Sequence, residues 1–250
     1  IKKVIVTDNF SNDGMLRSFK EKFSWVHWQE EPINGGFSYG CNAGARLAET
    51  KWVLFLNPDT EIPETCFESL IPYCDENFDY KLISIKQVNS DGKDCFPYGV
   101  FPNTFNLLGP LRSFERNIIR RSQSKKIMGA TSVGFPDWIS GAFVLIRLED
   151  YKKLGSWDDF FWMYYEDIDL SKRAANLGMK RVLLNNWYCI HNHGGASRKN
   201  IDTTILTKSE VLISSHKYIK KHFALIAKPI AHSLVFGSSF LELSVLSLFS

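Results

Sequence analysis

Short, mostly apolar runs punctuate the chain, and several are followed by a polar turn and a stretch with helical spacing. Val4-Ile5-Val6, Trp52-Val53-Leu54-Phe55-Leu56, Leu82 to Val88, Trp138 to Arg147 (small residues ahead of an apolar strand) and Arg181-Val182-Leu183-Leu184 are runs of this kind. Apolar residues without alternation mark strands covered on both faces, as in the sheets of α/β domains. Trp25-Val26-His27-Trp28 alternates weakly and predicts one more short strand. Between the runs, helices are expected from Met15 to about Phe23, from Asn42 to Glu49, after Pro63, from Leu148 to Leu154, and from Asp167 to Asn176 before Gly178. The pattern predicts an α/β fold to about residue 200: a Rossmann-like, mixed and mostly parallel sheet flanked by helices. Residues 201–250 form a helical, apolar C-terminal extension.

In open α/β sheets ligands collect beyond the carboxyl ends of the strands, so the residues there are the first candidates. Asp8 and Asn9 follow the first strand, where Asp8 either contacts a nucleotide or caps the next turn. Asn34-Gly35-Gly36 opens a glycine-rich stretch running past Gly40 to Asn42; it is no Walker loop, because Gly-Lys-Ser/Thr is absent. Asn57-Pro58-Asp59-Thr60 follows the clearest buried strand. Asp59 is either a turn residue or an oxygen ligand for Mg²⁺ or Mn²⁺. His191 and His193 follow another strand and suit a metal or a phosphate, although a zinc site of their own lacks further ligands.

The densest feature is Trp157-Asp158-Asp159-Phe160-Phe161-Trp162-Met163-Tyr164-Tyr165, an aromatic platform leading straight into Glu166, Asp167 and Asp169. Acids in the first turn of a helix complement its dipole, and Asp169 is spaced for an i, i+4 pair with Arg173. That explains Asp169. Adjacent acids beside an apolar wall also suit a general base, whose position and pKa come from its surroundings.

Composition narrows the function classes. A net charge of +3 gives no argument for nucleic acid. Five scattered cysteines without a C-x-x-C pair point to a reducing, cytoplasmic setting and away from disulfides. The first residues read as a buried strand, not as a signal peptide. Residues 112–126 hold six cations and one acid, which suits a solvated loop or one that closes over phosphates. Lys217, Lys220, Lys221 and His222 precede an apolar stretch, Phe223 to Ser250, whose formal charges are Lys228 and Glu242. Such a tail either lies on a membrane, the favoured expectation, or packs back as a helical hairpin.

Taken in order, Val-Thr-Asp-Asn-Phe-Ser-Asn-Asp-Gly, Asn-Gly-Gly-Phe-Ser-Tyr-Gly-Cys-Asn, Leu-Asn-Pro-Asp-Thr, Trp-Ile-Ser-Gly-Ala, Tyr-Glu-Asp-Ile-Asp-Leu and His-Asn-His-Gly-Gly-Ala-Ser resemble glycosyltransferase family 2, with the GT-A fold. More narrowly they resemble its bacterial rhamnosyltransferase-type branch. The resemblance implies an inverting, metal-dependent transfer of a sugar, rhamnose being the branch's suggestion, from a dTDP- or UDP-sugar to a saccharide acceptor. A lipid-linked acceptor, O-antigen or capsule synthesis and a place at the inner face of the plasma membrane belong to the same expectation. It further implies that Asp8, Asn9, Asn34, Gly36, Asn42, Asn57 and Asp59 form the nucleotide-sugar pocket. Asp59 would hold a Mg²⁺ or Mn²⁺ ion with His191 or His193, although Asn57 stands where the DXD pattern has its first acid. Asp167 would be the base, Glu166 its helper, and Trp138, Ser140 and Gly141 the acceptor side. Relative to the family pattern the chain opens one β-α unit late, roughly thirty residues that carry a nucleotide contact. The alternatives are a non-catalytic sugar-nucleotide- or glycan-binding subunit and, further off, a nucleotidyltransferase.

Overall fold

The computed structural model describes residues 1–107, 132–192 and 201–247; the basic stretch 112–126 and the candidate His193 lie outside those residues. The element order is β1 (Ile5–Asp8), α1 (Leu16–Lys22), β2 (His27–Glu30), α2 (Gly36–Ala45), β3 (Trp52–Leu56), β4 (Thr60–Glu61), α3 (Cys66–Glu76), β5 (Tyr80–Val88), β6 (Asp94–Cys95), β7 (Tyr98–Gly99), β8 (Val133–Gly134), β9 (Trp138–Ile139), β10 (Phe143–Arg147), α4 (Leu148–Lys153), α5 (Glu166–Asn176), β11 (Lys180–His191), α6 (Ile201–His222) and α7 (Ala227–Ser247).

The main sheet has the order β3-β10-β5-β11-β4, with β6 on β5 and β8 on β11. β10 is antiparallel to both β3 and β5, and β11 is parallel to β5. The long strands β3, β5 and β11 therefore point the same way, and their carboxyl ends share one edge. β1 and β2 form a separate parallel pair, and β7 pairs with β9.

β10 shows why its run carries no alternation, since all five of its residues are buried. Val144 and Ile146 join the core beneath α2, α4 and α5, with Phe55, Tyr151, Trp157 and Leu170. Phe143 and Leu145 face the opposite side and pack with Leu70, Cys74, Ile83 and Val182 beneath α3. Arg147, at the strand end, is fully buried and donates to the carbonyls of Cys74, Phe78 and Tyr80. It thereby closes the end of α3 onto the sheet.

Several boundaries move from their expected places. The second strand is His27–Glu30, and Trp25 is exposed. α2 starts at Gly36, so the glycine-rich stretch is helix and not a loop. The cause is close packing: a Cβ on Gly36, at φ +88°, would sit 2.1 Å from the Trp162 carbonyl, and one on Gly44 would sit 2.9 Å from Thr7 Oγ1. α3 begins at Cys66, and Pro63 lies ahead of it, accepting from the Cys66 amide. The 138–147 run breaks into β9 and β10, and β11 extends to His191 through a register shift after Leu184.

α6 and α7 fold back as a hairpin, the second of the two readings of the tail. Leu107, Ile219, Ala231 and Val235 form their shared core. His216 and His232 face each other across it, Nδ1 to Nδ1 at 2.6 Å. Among the described residues no helix is long and apolar enough to cross a membrane.

Candidate active site

The site begins where β1 ends. The Asn9 amide donates to Gly36 O at 2.8 Å and to Asn34 Oδ1 at 3.2 Å, while Asn9 Oδ1 accepts from the Gly35 amide. Asp8 accepts from the Ser11 amide at 3.2 Å, which is the capping half of its two expected roles. Asn9, Asn34 and Gly36 thus form one knot. It is pinned to the aromatic platform, because the Phe37 amide donates to Trp162 O at 2.8 Å and Trp162 Nε1 donates to Asn34 O at 3.1 Å.

Asn42 is placed differently. Its carboxamide donates to Trp157 O and Asp159 and accepts from the Trp157 amide and the Tyr151 hydroxyl. These bonds account for both ends of its amide, so Asn42 fastens α2 to the platform.

The platform ends in a sharp reversal. Tyr164 and Tyr165 both sit in the left-handed region, at φ 65° and 66°, and α5 starts at the next residue. Glu166 is buried, and its Oε2 has no hydrogen-bond partner. Burial, followed by the neighbouring Asp167, pushes its carboxyl well above the usual range. Asp167 is half-buried; burial raises it too, opposed by backbone amides. The Gly141 amide donates to its Oδ2 at 3.1 Å and the Ile168 amide to its Oδ1 at 2.8 Å. A carboxylate oxygen has a second lone pair, so this grip orients Asp167 and leaves it able to accept a proton. Asp169, in contrast, is fully buried and ion-paired with Arg173, Lys221 and His222. Burial alone would raise it, but these partners hold it down at about 2.

Gly141, expected on the acceptor side, holds Asp167. Its neighbour Ala142 accepts from the Asn57 amide at 3.0 Å, so residues 141–142 join Asp167 to the turn after β3. Ser140 Oγ accepts from the Ala142 amide at 3.3 Å. Trp138 lays its ring on Gly99 and donates from Nε1 to Val100 O.

In the turn, Asn57 O accepts from the Thr60 amide and hydroxyl. Asp59 Oδ1 lies 3.2 Å from His191 Nε2, and His191 Nδ1 lies 2.9 Å from Gln87 Oε1. His191 is buried, and its backbone sits opposite Thr60 in the β11–β4 pairing. His191 Nε2 and Asp59 Oδ1 face each other as a nitrogen and a carboxylate oxygen, and this donor pair fits a divalent ion completed by water and phosphate oxygens. Among the described residues no three His, Cys, Asp or Glu side chains cluster as ligands.

Sequence reasoning passed over Gln87, the left-handed tyrosines and the α6 residues that touch the platform. Gln87 carried a weak signal, as a polar residue at the carboxyl end of a buried strand. The backbone reversal carried none, because neither Gly nor Asn marks it.

The Glycosyl transferase family 2 profile matches residues 1–138. The Escherichia coli K12 protein named Rhamnosyltransferase WbbL is 26% identical over 200 residues, covering 76% of this chain and 72% of its own. The Low-salt glycan biosynthesis hexosyltransferase Agl10 of Haloferax volcanii is 26% identical over 73% of this chain and 58% of its own. Two solved structures share the fold. GalNAc-T7 with UDP, GalNAc and Mn²⁺ has a TM-score of 0.57 at 14% identity, over 93% of this chain and 48% of its own. The mannosyltransferase PcManGT of Pyrobaculum calidifontis, with GDP-Man and Mn²⁺, has 0.54 at 16% identity, over 94% and 60%. This chain therefore spans about half to three-fifths of the solved proteins it resembles. With its profile match covering more than half of its length, and with a GT-A fold beneath the motifs, the chain belongs to glycosyl transferase family 2.

Proposed function

We propose that this chain transfers a sugar, with rhamnose the first candidate, from a dTDP- or UDP-sugar to a hydroxyl of a saccharide acceptor, with inversion. The observation that carries the reading is one hydrogen-bonded path along the site edge. It runs from Asn9 through Gly36 and Trp162 to the platform, and from Asp167 through Gly141 and Ala142 to Asn57, with Asp59 in the same turn and His191 facing it from the end of β11. A base and a candidate diphosphate site are thereby held by the same backbone.

Asp167 takes the proton of the acceptor hydroxyl, whose oxygen attacks the anomeric carbon from the face opposite the nucleotide. The new glycosidic bond forms as the bond from that carbon to the diphosphate oxygen breaks. Glu166, favoured in its neutral form, adds no second full negative charge beside the base. Asp59 and His191 would hold a Mg²⁺ or Mn²⁺ ion, which when bound neutralises charge on the departing diphosphate. The relatives' names, a rhamnosyltransferase and a glycan-biosynthesis hexosyltransferase, support a part in glycan synthesis, which the reading extends to a cell-surface glycan and a lipid-linked acceptor at the inner face of the plasma membrane. The α6–α7 hairpin would make that contact.

A thermal-shift panel of dTDP-, UDP- and GDP-sugars, each with Mn²⁺ and with EDTA, tests this reading. Binding to the folded state raises the melting temperature by mass action. One nucleotide class should raise it with Mn²⁺ and lose the effect in EDTA and in Asp59→Ala. No shift with any nucleotide, or a shift indifferent to EDTA and to Asp59→Ala, refutes the donor site.

A further inference from the structure

We propose that α6, which lies beyond the residues matched by the family profile, is a positioning element of the transfer site. Ser214 and Tyr218 would act through the Tyr164–Tyr165 reversal on the Glu166–Asp167 pair; the inference rests on Asp167 being the base.

Two consecutive non-glycine residues at φ 65° and 66° occupy a conformation that L side chains rarely adopt. Such backbone persists only where its surroundings over-determine it. Here α6 supplies the surroundings. Ser214, fully buried, donates from Oγ to Met163 O at 2.8 Å, just before the reversal. Tyr218, also buried, packs its ring against Tyr165 with centroids 5.6 Å apart. One turn later Lys221 and His222 reach Asp169, whose own amide donates to Tyr165 O at 2.8 Å.

Positions 214, 218 and 221–222 fall on a single helix face. That face touches residues 163, 165 and 169, on both sides of the two carboxylates. The Ser214 hydroxyl is chemically specific: it satisfies a carbonyl that the chain reversal turns away from any helical partner. These contacts fall on the base side of the site, away from Asp59 and His191. Loosening α6 should therefore let Tyr164 and Tyr165 relax and swing Asp167 off the acceptor, with the Asp59–His191 pair unaffected. Misplacing a reacting group by about an ångström costs on the order of 100-fold in rate.

The test compares Ser214→Ala, Tyr218→Leu and, as the conservative variant, Tyr218→Phe with the wild-type chain. It measures kcat, donor KM and hydrogen exchange of the amides from Trp162 to Asp169. The expected result for Ser214→Ala and Tyr218→Leu is a kcat lower by about 10- to 100-fold, a donor KM changed far less than kcat, and faster exchange confined to that segment. Tyr218→Phe, which keeps the ring, should restore kcat and protection. Folded variants with wild-type kcat and wild-type exchange overturn the proposal, as does faster exchange spread over the whole chain with activity lost in proportion to unfolding. Should Tyr218→Leu fail to fold, Ser214→Ala, which removes one hydroxyl, decides alone. A wild-type chain without turnover would sink the transfer reading; the exchange pattern would then still decide whether α6 holds the reversal.

Discussion

Glu166 and Asp167 are neighbours in sequence that ionise in opposite settings, and the difference comes from what reaches them. Asp167 is gripped by the amides of Gly141 and Ile168, which favour its ionised form against burial. Glu166 has no such partner at Oε2, and burial beside another acid favours its proton. Asp167→Asn keeps the shape and removes the base, so kcat should fall by about 10² to 10⁴; turnover near wild type would remove Asp167 from the mechanism. Glu166 has a distinct signature in stability. Its folded pKa lies above the ordinary 4.5, so its favourable contribution is fully present below about pH 4.5 and is lost as pH rises through the folded value. Glu166→Gln, neutral at every pH, should match wild type in thermal melts at pH 4 and exceed it at pH 8. An equal gap at both values would mean that Glu166 is not held neutral by the fold.

At the scale of elements, α5 is fixed at both faces, by the sheet through Leu170 and Ala174 and by α6 through Asp169. Asp169 shows the opposite pH behaviour to Glu166. Its folded value, about 2, lies below the ordinary 3.8, so its contribution is present above about pH 4 and disappears as pH falls through 2. Asp169→Asn strands Arg173, Lys221 and His222 near one buried point and should cost about 3–5 kcal/mol at neutral pH, read from urea melts. The gap should close as pH approaches 2; a constant gap would place the cost in packing and not in charge. The i, i+4 pair with Arg173 was legible in the sequence because helix periodicity alone sets it. The partners on α6 were not, because nothing local links residue 169 to 221. The same contrast runs through the chain. Buried strands and the acids at their ends could be read from apolar runs. The start of α2 could not, because Gly36 and Gly44 serve a packing distance to Trp162 and Thr7 that only the fold reveals.

The whole molecule presents two distinct surfaces. One is the site edge; the other is the outer side of the α6–α7 hairpin, whose inner residues Ala231 and Val235 are spent on the core. Leu225 and Ile226 at the hairpin turn are 81% and 89% exposed, and Ile230, Phe236, Phe240 and Leu241 continue from them along α7, all more than half exposed. At 100° per residue Ile226, Ile230, Phe236, Phe240 and Leu241 lie on one side of the helix. Lys217 and Lys220 on α6 hold their ammonium groups over Phe160 of the platform, and Lys228 opens α7. An apolar stripe with basic residues close by in sequence, on a helix that among the described residues is not long and apolar enough to cross a bilayer, suits burial at the headgroup boundary of an anionic membrane. It would also bring the site to an acceptor that cannot leave the lipid. Co-sedimentation with vesicles of phosphatidylcholine and phosphatidylglycerol should therefore recover the chain, less well at high salt or without the anionic lipid. Ile226→Ser combined with Phe236→Ser and Phe240→Ser should weaken recovery by about tenfold or more, while thermal shifts with nucleotide sugars stay as in the wild type. Recovery unaffected by the triple substitution would exclude this face. Recovery absent from the start, with a concentration-dependent dimer that the substitutions dissolve, would assign the stripe to a second copy of the chain.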